Sequence, residues 1–161
     1  MPALIEVARV VTILLVCVVL AIAGASDVRT RRIPNWAVLA IIGLFGIWFL
    51  MGFSAPLLSA LGAAIIVFIC SCCLYGFGVI GAGDSKLATA VALFAGISRL
   101  PEFVIYMSLV GGFLVLCAVA AEPAKALVIL QLRMKSALDR DVPYGVAIAA
   151  AGGMLLLRAV M

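Results

Sequence analysis

The chain has 161 residues, of which 68% are hydrophobic and 11% charged, with a formal net charge of +4 and no histidine. Its mean hydropathy of +1.39 excludes an ordinary soluble domain, in which the apolar fraction is nearer half. The missing imidazole excludes every catalytic triad that needs a histidine base. The composition therefore predicts an all-α, polytopic membrane protein with a single integral domain over residues 1–161.

The apolar residues fall into blocks close to the roughly 20 residues that cross a bilayer as a helix. On that length we predict about six transmembrane helices. Gly and Pro inside them are tolerated because neighbouring helices satisfy the backbone groups that they free. In chain order the candidate spans are Val10–Ser26, Trp36–Phe53, Pro56–Ile80, Lys86–Leu100, Phe103–Ala121 and Pro143–Val160.

Basic residues concentrate on one side of these spans. Arg29, Arg31 and Arg32 follow the first span, and the next loop on the same side, 122–142, is also basic. Basic residues near span ends mark the cytoplasmic side. We therefore expect both termini outside, and we attribute the net charge to topology and contact with anionic lipid. Nucleic-acid binding is not expected.

Asp27 and Asp84 stand apart from the other acidic residues because each adjoins an apolar span, where an ionisable group is costly and indicates function. The chain leaves through the second span and returns through the third, so both acids are predicted at the cytoplasmic face. The next span, Lys86–Leu100, gives only about 22 Å of helix against about 30 Å of hydrocarbon. Asp84 is therefore expected in an inset pocket that water reaches. The remaining acids are interpreted as solvated boundary charges: Glu6, Glu102, Glu122, Asp139 and Asp141.

Two carboxylates in one pocket can share a proton. One can then accept a proton from an attacking water while the other donates to the reacting carbonyl or leaving nitrogen. Which residue has which role belongs to the coupled pair and is not assigned by the sequence. Gly81 and Gly83 allow unusual backbone conformations and a close approach of another chain; alternatively, they only ease a turn between helices.

Two other motifs in this region are weaker. "GFGVIG" at 76–81 matches a dinucleotide fingerprint, but an apolar run of membrane-span length precedes it instead of a short strand. Ser85 and Lys86 resemble a catalytic dyad, but neighbours on a helix do not face each other. Lys86 is expected to extend to the interface or to act on one aspartate. The five cysteines lie inside predicted spans, and we expect neither a metal nor a cofactor.

"DVRTRRIPN" at 27–35 and "GAGDSKL" at 81–87 resemble the two signature segments of bacterial type IV prepilin peptidases. These enzymes are intramembrane aspartic proteases of the GxGD class. The resemblance implies that Asp27 and Asp84 are the catalytic pair and that Gly81 and Gly83 are the motif glycines. It implies supporting positions at Ile33, Pro34 and Asn35, which close the first loop, and the Pro-Tyr-Gly segment at 143–145 is similar to the one opening the family's last helix.

The resemblance further implies a leader peptidase of the bacterial inner membrane that cuts the basic leader from a prepilin or pseudopilin at the cytoplasmic face. Its expected partners are that substrate, membrane lipid and a pilus assembly system. The first loop is short and lacks the paired cysteines of the large bifunctional members, so the chain resembles the short peptidases of tight-adherence (Tad/Flp) systems. We expect no methyltransferase activity. The alternatives are a proton- or cation-coupled transport component that uses Asp27 and Asp84, and a non-catalytic assembly subunit.

Overall fold

The computed structural model describes residues 2–53, 56–121 and 144–158. These residues form helices joined by turns, and there is no strand among them. The predicted basic loop at 122–142 lies outside the described residues. The helices are α1 (Pro2–Thr30), α2 (Asn35–Leu50), α3 (Leu57–Gly76), α4 (Ala82–Ala121) and α5 (Tyr144–Leu157).

Three stretches are long and apolar enough to cross a membrane, by length and composition: Leu4–Thr30, Leu57–Gly76 and Ala82–Cys117. Asn35–Leu50 and Tyr144–Leu157 are shorter apolar helices. This arrangement confirms the predicted all-helical, polytopic membrane fold.

The interior of the bundle combines alanines with large apolar side chains such as Leu20, Ile41 and Phe103. Many buried positions hold alanine, which lets helix backbones approach closely where the hydrophobic effect does not drive association. Large apolar side chains also cover the outer surface, and such extensive apolar exposure marks a surface that meets lipid. Examples inside are Ala37, Ala60, Ala63, Ala92, Ala147 and Ala151, and outside Leu39, Leu58, Ile65, Leu109 and Phe113.

Gly78 ends α3 with a turn that leads directly into α4. Its φ of 72° is the left-handed conformation that favours glycine. The Gly78 N–H donates to Tyr75 O at 2.9 Å, and the Val79 N–H donates to Leu74 O at 2.9 Å. These are the two hydrogen bonds of a Schellman motif, and they place the start of α4 beside the end of α3.

Gly96 breaks α4 with a φ of 61° and a ψ of 175°, a backbone conformation that is essentially restricted to glycine. The Ile97 N–H, which the break deprives of a helical partner, donates to Ser59 Oγ on α3 at 3.0 Å. The predicted boundary between Leu100 and Phe103 is therefore wrong. The break occurs earlier because Gly96 adopts the required backbone angles, whereas Pro101 remains inside the second segment.

The part of α4 after the break runs antiparallel to α5. Tyr106 accepts a hydrogen bond from Arg158 at the end of α5, with 2.8 Å between Nη1 and the phenol oxygen. Further along α4, Gly111 lies against Ala147 near the start of α5.

Before the break the direction is the opposite: Asp84 shares a cavity with Asp27, which is hydrogen-bonded to Gly145 at the start of α5. Further along both helices, Val91 lies against Gly152. The chain therefore reverses near the break. Segments 82–95 and 97–121 therefore run in opposite directions, and the count of six spans stays a prediction.

The helix ends that matter for function meet at one end of the bundle. α1 and α5 pack antiparallel, with Gly24 against Ala149 and Leu20 against Gly152, so the end of α1 lies beside the start of α5. The end of α3 and the start of α4 are also here. We call this end, which carries residues 27–35, 76–84 and 144–145, the acid end.

Candidate active site

The chain folds back over the end of α1, directly at Asp27. Arg31 has a φ of 53°, and its N–H donates to Asp27 O at 2.9 Å, which is the αL form of a helix C-cap. The Ser26 hydroxyl donates to Arg32 O at 2.9 Å. These two contacts hold residues 31–33 against the terminal turn of the helix that carries Asp27.

The two motif glycines, Gly81 just before α4 and Gly83 in its first turn, are needed for close packing around Asp84. Asp84 lies in the first turn of α4, and a Cβ on Gly81 would come within 3.0 Å of Asp84 Oδ2. A Cβ on Gly83 would come within 3.2 Å of Ile33 Cβ. A side chain at either position therefore displaces the carboxylate or the loop after α1. This steric requirement accounts for the two glycines more specifically than the alternative that they only ease a turn between helices.

Asp27 and Asp84 line one cavity of about 290 Å³ at the acid end. Asp27 is only 6% exposed, and the two carboxyl groups are close enough for the charge of Asp27 to act on Asp84. The charge of Arg31 acts on Asp84 with the opposite sign. The cavity is lined by Asp27, Arg31, Arg32, Ile33, Asn35, Gly81, Ala82, Gly83, Asp84 and Lys86.

The structure brings together most of the predicted supporting residues. Lys86 Nζ donates to Asn35 Oδ1 at 3.4 Å, which links the starts of α4 and α2 at the cavity wall. Pro34 is not among the lining residues; it caps α2, and its carbonyl accepts the Ala37 N–H at 3.0 Å.

The weaker motifs of this region have structural explanations. Ser85 is buried, and its hydroxyl donates to Gly81 O at 3.2 Å and to Ser71 O on α3 at 3.5 Å. Lys86 lies at the cavity and bonds to Asn35 instead, so the neighbours do not form a dyad. The GxGxxG match lies in the helix-to-helix turn at 76–81, without the preceding strand that a dinucleotide site requires.

Gly145 is a contact of Asp27 that reasoning from side chains missed. Its backbone N–H donates to Asp27 Oδ2 at 3.0 Å in a buried hydrogen bond. A Cβ on Gly145 would come within 2.8 Å of the same oxygen and 2.9 Å of Asp27 Cβ. The available sequence signal was the Pro-Tyr-Gly segment at 143–145, which indicates a family resemblance but not which group the glycine contacts.

The fold and the site define a polytopic helical membrane protein with a paired-carboxylate cavity at one end of its bundle. The model of the type IV leader peptidase family matches residues 14–116, well over half of the chain, and the chain belongs to that family. Membership implies a protease that acts on prepilins in general. No curated protein and no solved structure matches the chain.

Proposed function

We propose that this protein is an aspartic-type prepilin leader peptidase in which Asp27 and Asp84 form the catalytic pair. The observation that carries the proposal is that both carboxyl groups line one cavity, although α2 and α3 separate them in the chain. Membership of a peptidase family favours hydrolysis over the alternative use of these acids for ion transport. Gly81 and Gly83 support the site sterically, and Lys86 and Asn35 support it through their hydrogen bond.

The chemistry follows from two carboxyl groups that hold one proton between them. The ionised group takes a proton from water, and the water oxygen bonds to the scissile carbonyl carbon. The protonated group gives its proton to the carbonyl oxygen, which produces a tetrahedral diol. The C–N bond then breaks as its nitrogen takes up a proton, and one diol hydroxyl returns a proton to the pair. Water and peptide are consumed, and an acid and an amine are released.

The proposed substrate is a type IV or Flp-type prepilin, cut between its basic leader and its apolar helix. The cavity lies at the acid end, where α1 ends and α4 begins, and a bond close to the membrane face is accessible from this position. Arg29, Arg31 and Arg32 lie at the same end, so the distribution of basic residues favours a cytoplasmic orientation. We propose placement in the inner membrane, with a short Tad/Flp-type peptidase as the subtype.

Co-expression with a candidate prepilin tests the proposal through the size of the pilin. The wild-type chain is expected to remove the leader, and Asp27→Asn and Asp84→Asn are each expected to abolish the size shift. Loss of a general acid or base typically costs about 10²–10⁴ in rate. Glu102→Gln is the matched control because Glu102 does not line the cavity; it is expected to cut normally. Normal cutting by either aspartate variant, with all proteins inserted equally, would remove that residue from the pair.

A further inference from the structure

The two carboxyl groups of the cavity have different environments. Asp27 Oδ2 accepts the Gly145 N–H at 3.0 Å, and neither oxygen of Asp27 is buried without a partner. A hydrogen-bond donor aimed at a carboxylate stabilises its ionised form. The surroundings of Asp27 therefore suit a carboxylate.

Asp84 also has a backbone donor, at Gly81, but it differs from Asp27 in having one buried oxygen without a partner among the described residues. Its Oδ1 is buried and has no hydrogen-bond partner among the described residues, while Oδ2 is the oxygen next to Gly81, whose backbone interacts with the carboxyl group. A buried acceptor without a partner is costly, and more so when it is charged. Protonation converts one oxygen into an O–H donor. A neutral Asp84 can thus accept from Gly81 through Oδ2 and donate through Oδ1.

We infer that Gly145 is a positioning residue that holds Asp27 as the ionised, water-activating member of the pair, and that Asp84 carries the proton. This assignment rests on the proposed function. There is no room for a Cβ at position 145 beside Asp27. The Gly145 N–H is therefore held in place by the direct contact between α5 and α1. The other charged groups that line the cavity are Arg31 and Arg32, from the loop after α1, and Lys86, from α4.

The assignment fixes the direction of each proton transfer. Asp27 takes a proton from water as the water oxygen bonds to the carbonyl carbon, and Asp84 gives its proton to the carbonyl oxygen. In the second step Asp27 gives its proton to the leaving nitrogen as the C–N bond breaks, and one diol hydroxyl gives its proton to Asp84. The pair returns to an ionised Asp27 and a protonated Asp84.

Three glycines of α5 allow a matched test on the membrane-embedded protein. Gly145→Ala places a methyl group against Asp27, whereas Gly152→Ala creates a comparable overlap with Val91 and Leu20, at 2.9 and 3.1 Å, away from the acids. Gly153→Ala enters open space. Kinetics of cleavage of a detergent-solubilised prepilin are followed for each variant over a range of pH.

Gly145→Ala is expected to lower kcat by about 10²-fold, the cost of misplacing a reacting group by about 1 Å, with KM little changed. The acidic limb of its pH profile is expected to move to higher pH, because ionised Asp27 loses its hydrogen bond. Gly152→Ala and Gly153→Ala are expected to keep the wild-type profile even if the former is less stable. A wild-type kcat and profile for Gly145→Ala, or the same profile change in Gly152→Ala, would overturn the inference.

Binding provides a second measurement that does not require a stable Gly145 variant. The probe is a prepilin-derived peptide in which a hydroxyethylene group replaces the scissile amide, as an analogue of the tetrahedral state. Asp84→Asn preserves a neutral donor and is expected to bind the probe within about 10-fold of wild type, while Asp27→Asn is expected to lose at least about 100-fold. Reversed or equal losses would overturn the assignment alone. Failure of the wild-type protein to cut any prepilin would instead reject the proposed function.

Discussion

Arg31 occupies a backbone conformation in which glycine is the usual residue. Its φ of 53° is the only positive value among the non-glycine residues that the structure describes, and the left-handed region costs an L-residue roughly 1–2 kcal/mol. Its side chain lines the cavity, and its charge acts on Asp84. Backbone strain of this kind persists at functional sites, and here it coincides with a cation beside the acid pair.

A crossed pair of substitutions tests the conformation at Arg31. Arg31→Gly is expected to be more stable than Arg31→Ala by about 1 kcal/mol, because alanine keeps the strained Cβ. At Arg32, which has no positive φ, the order is expected to reverse, with alanine more stable by about 0.5–1 kcal/mol. The free energy of unfolding in mixed detergent micelles measures both differences. Alanine equal to or more stable than glycine at both positions would contradict the proposed backbone strain.

At the scale of single residues, the sequence pointed to two acidic side chains but not to the backbone group that contacts one of them. Asp27 and Asp84 were recognisable because a carboxylate beside an apolar span is costly and rare, and the structure brings both to one cavity. Gly145 contributes a backbone N–H, a group that every residue except proline possesses. Its importance depends on which helix lies opposite, and that information is absent from local sequence.

At the scale of helices, the apolar blocks predicted the all-helical fold, whereas the position of the break in α4 was wrong. Proline was the obvious candidate, since it removes a helical hydrogen bond, and Pro101 lies close to the true position. Gly96 is the residue that adopts the required angles, and Ser59 on α3 accepts the Ile97 N–H at 3.0 Å. The decisive partner comes from another helix, so local propensity alone did not locate the break.

Substitutions at the break are expected to destabilise the fold without changing the acid cavity directly. Gly96→Ala forces alanine into a conformation that costs about 1–3 kcal/mol, and Ser59→Ala removes the acceptor of a hydrogen bond worth about 1 kcal/mol. Gly112→Ala is the control, because it lies in the same helix and its added Cβ meets open space. Thermal unfolding in detergent measures all three. A Gly96→Ala protein as stable as the control would show that the chain does not break there.

At the scale of the whole molecule, the acid end is assembled from three distant parts of the chain. The family match over 14–116 includes both aspartates and the motif glycines Gly81 and Gly83, but the donor to Asp27 comes from α5, beyond that range. Two helices, α2 and α3, separate the acids in the chain, and an even number of passes predicts both acids at the same face. The packing of α5 against α1 depends on small residues, Gly24 and Ala149 among them. Because α5 is apolar on all sides, its sequence does not indicate which of its faces packs against α1.

The orientation of the molecule in the membrane is the last expectation to test, because the proposed substrate requires the acid end to face the cytoplasm. Phe77, 81% exposed, lies at that end, and Leu58, 84% exposed, lies at the start of α3 at the opposite end. With the five native cysteines replaced by alanine, Leu58→Cys is expected to react with a membrane-impermeant maleimide on intact spheroplasts. Phe77→Cys is expected to react only after lysis, because the arginines after α1 favour the inner side. Labelling of both from one side would contradict the helical topology, and the reverse pattern would place the cavity away from prepilin leaders.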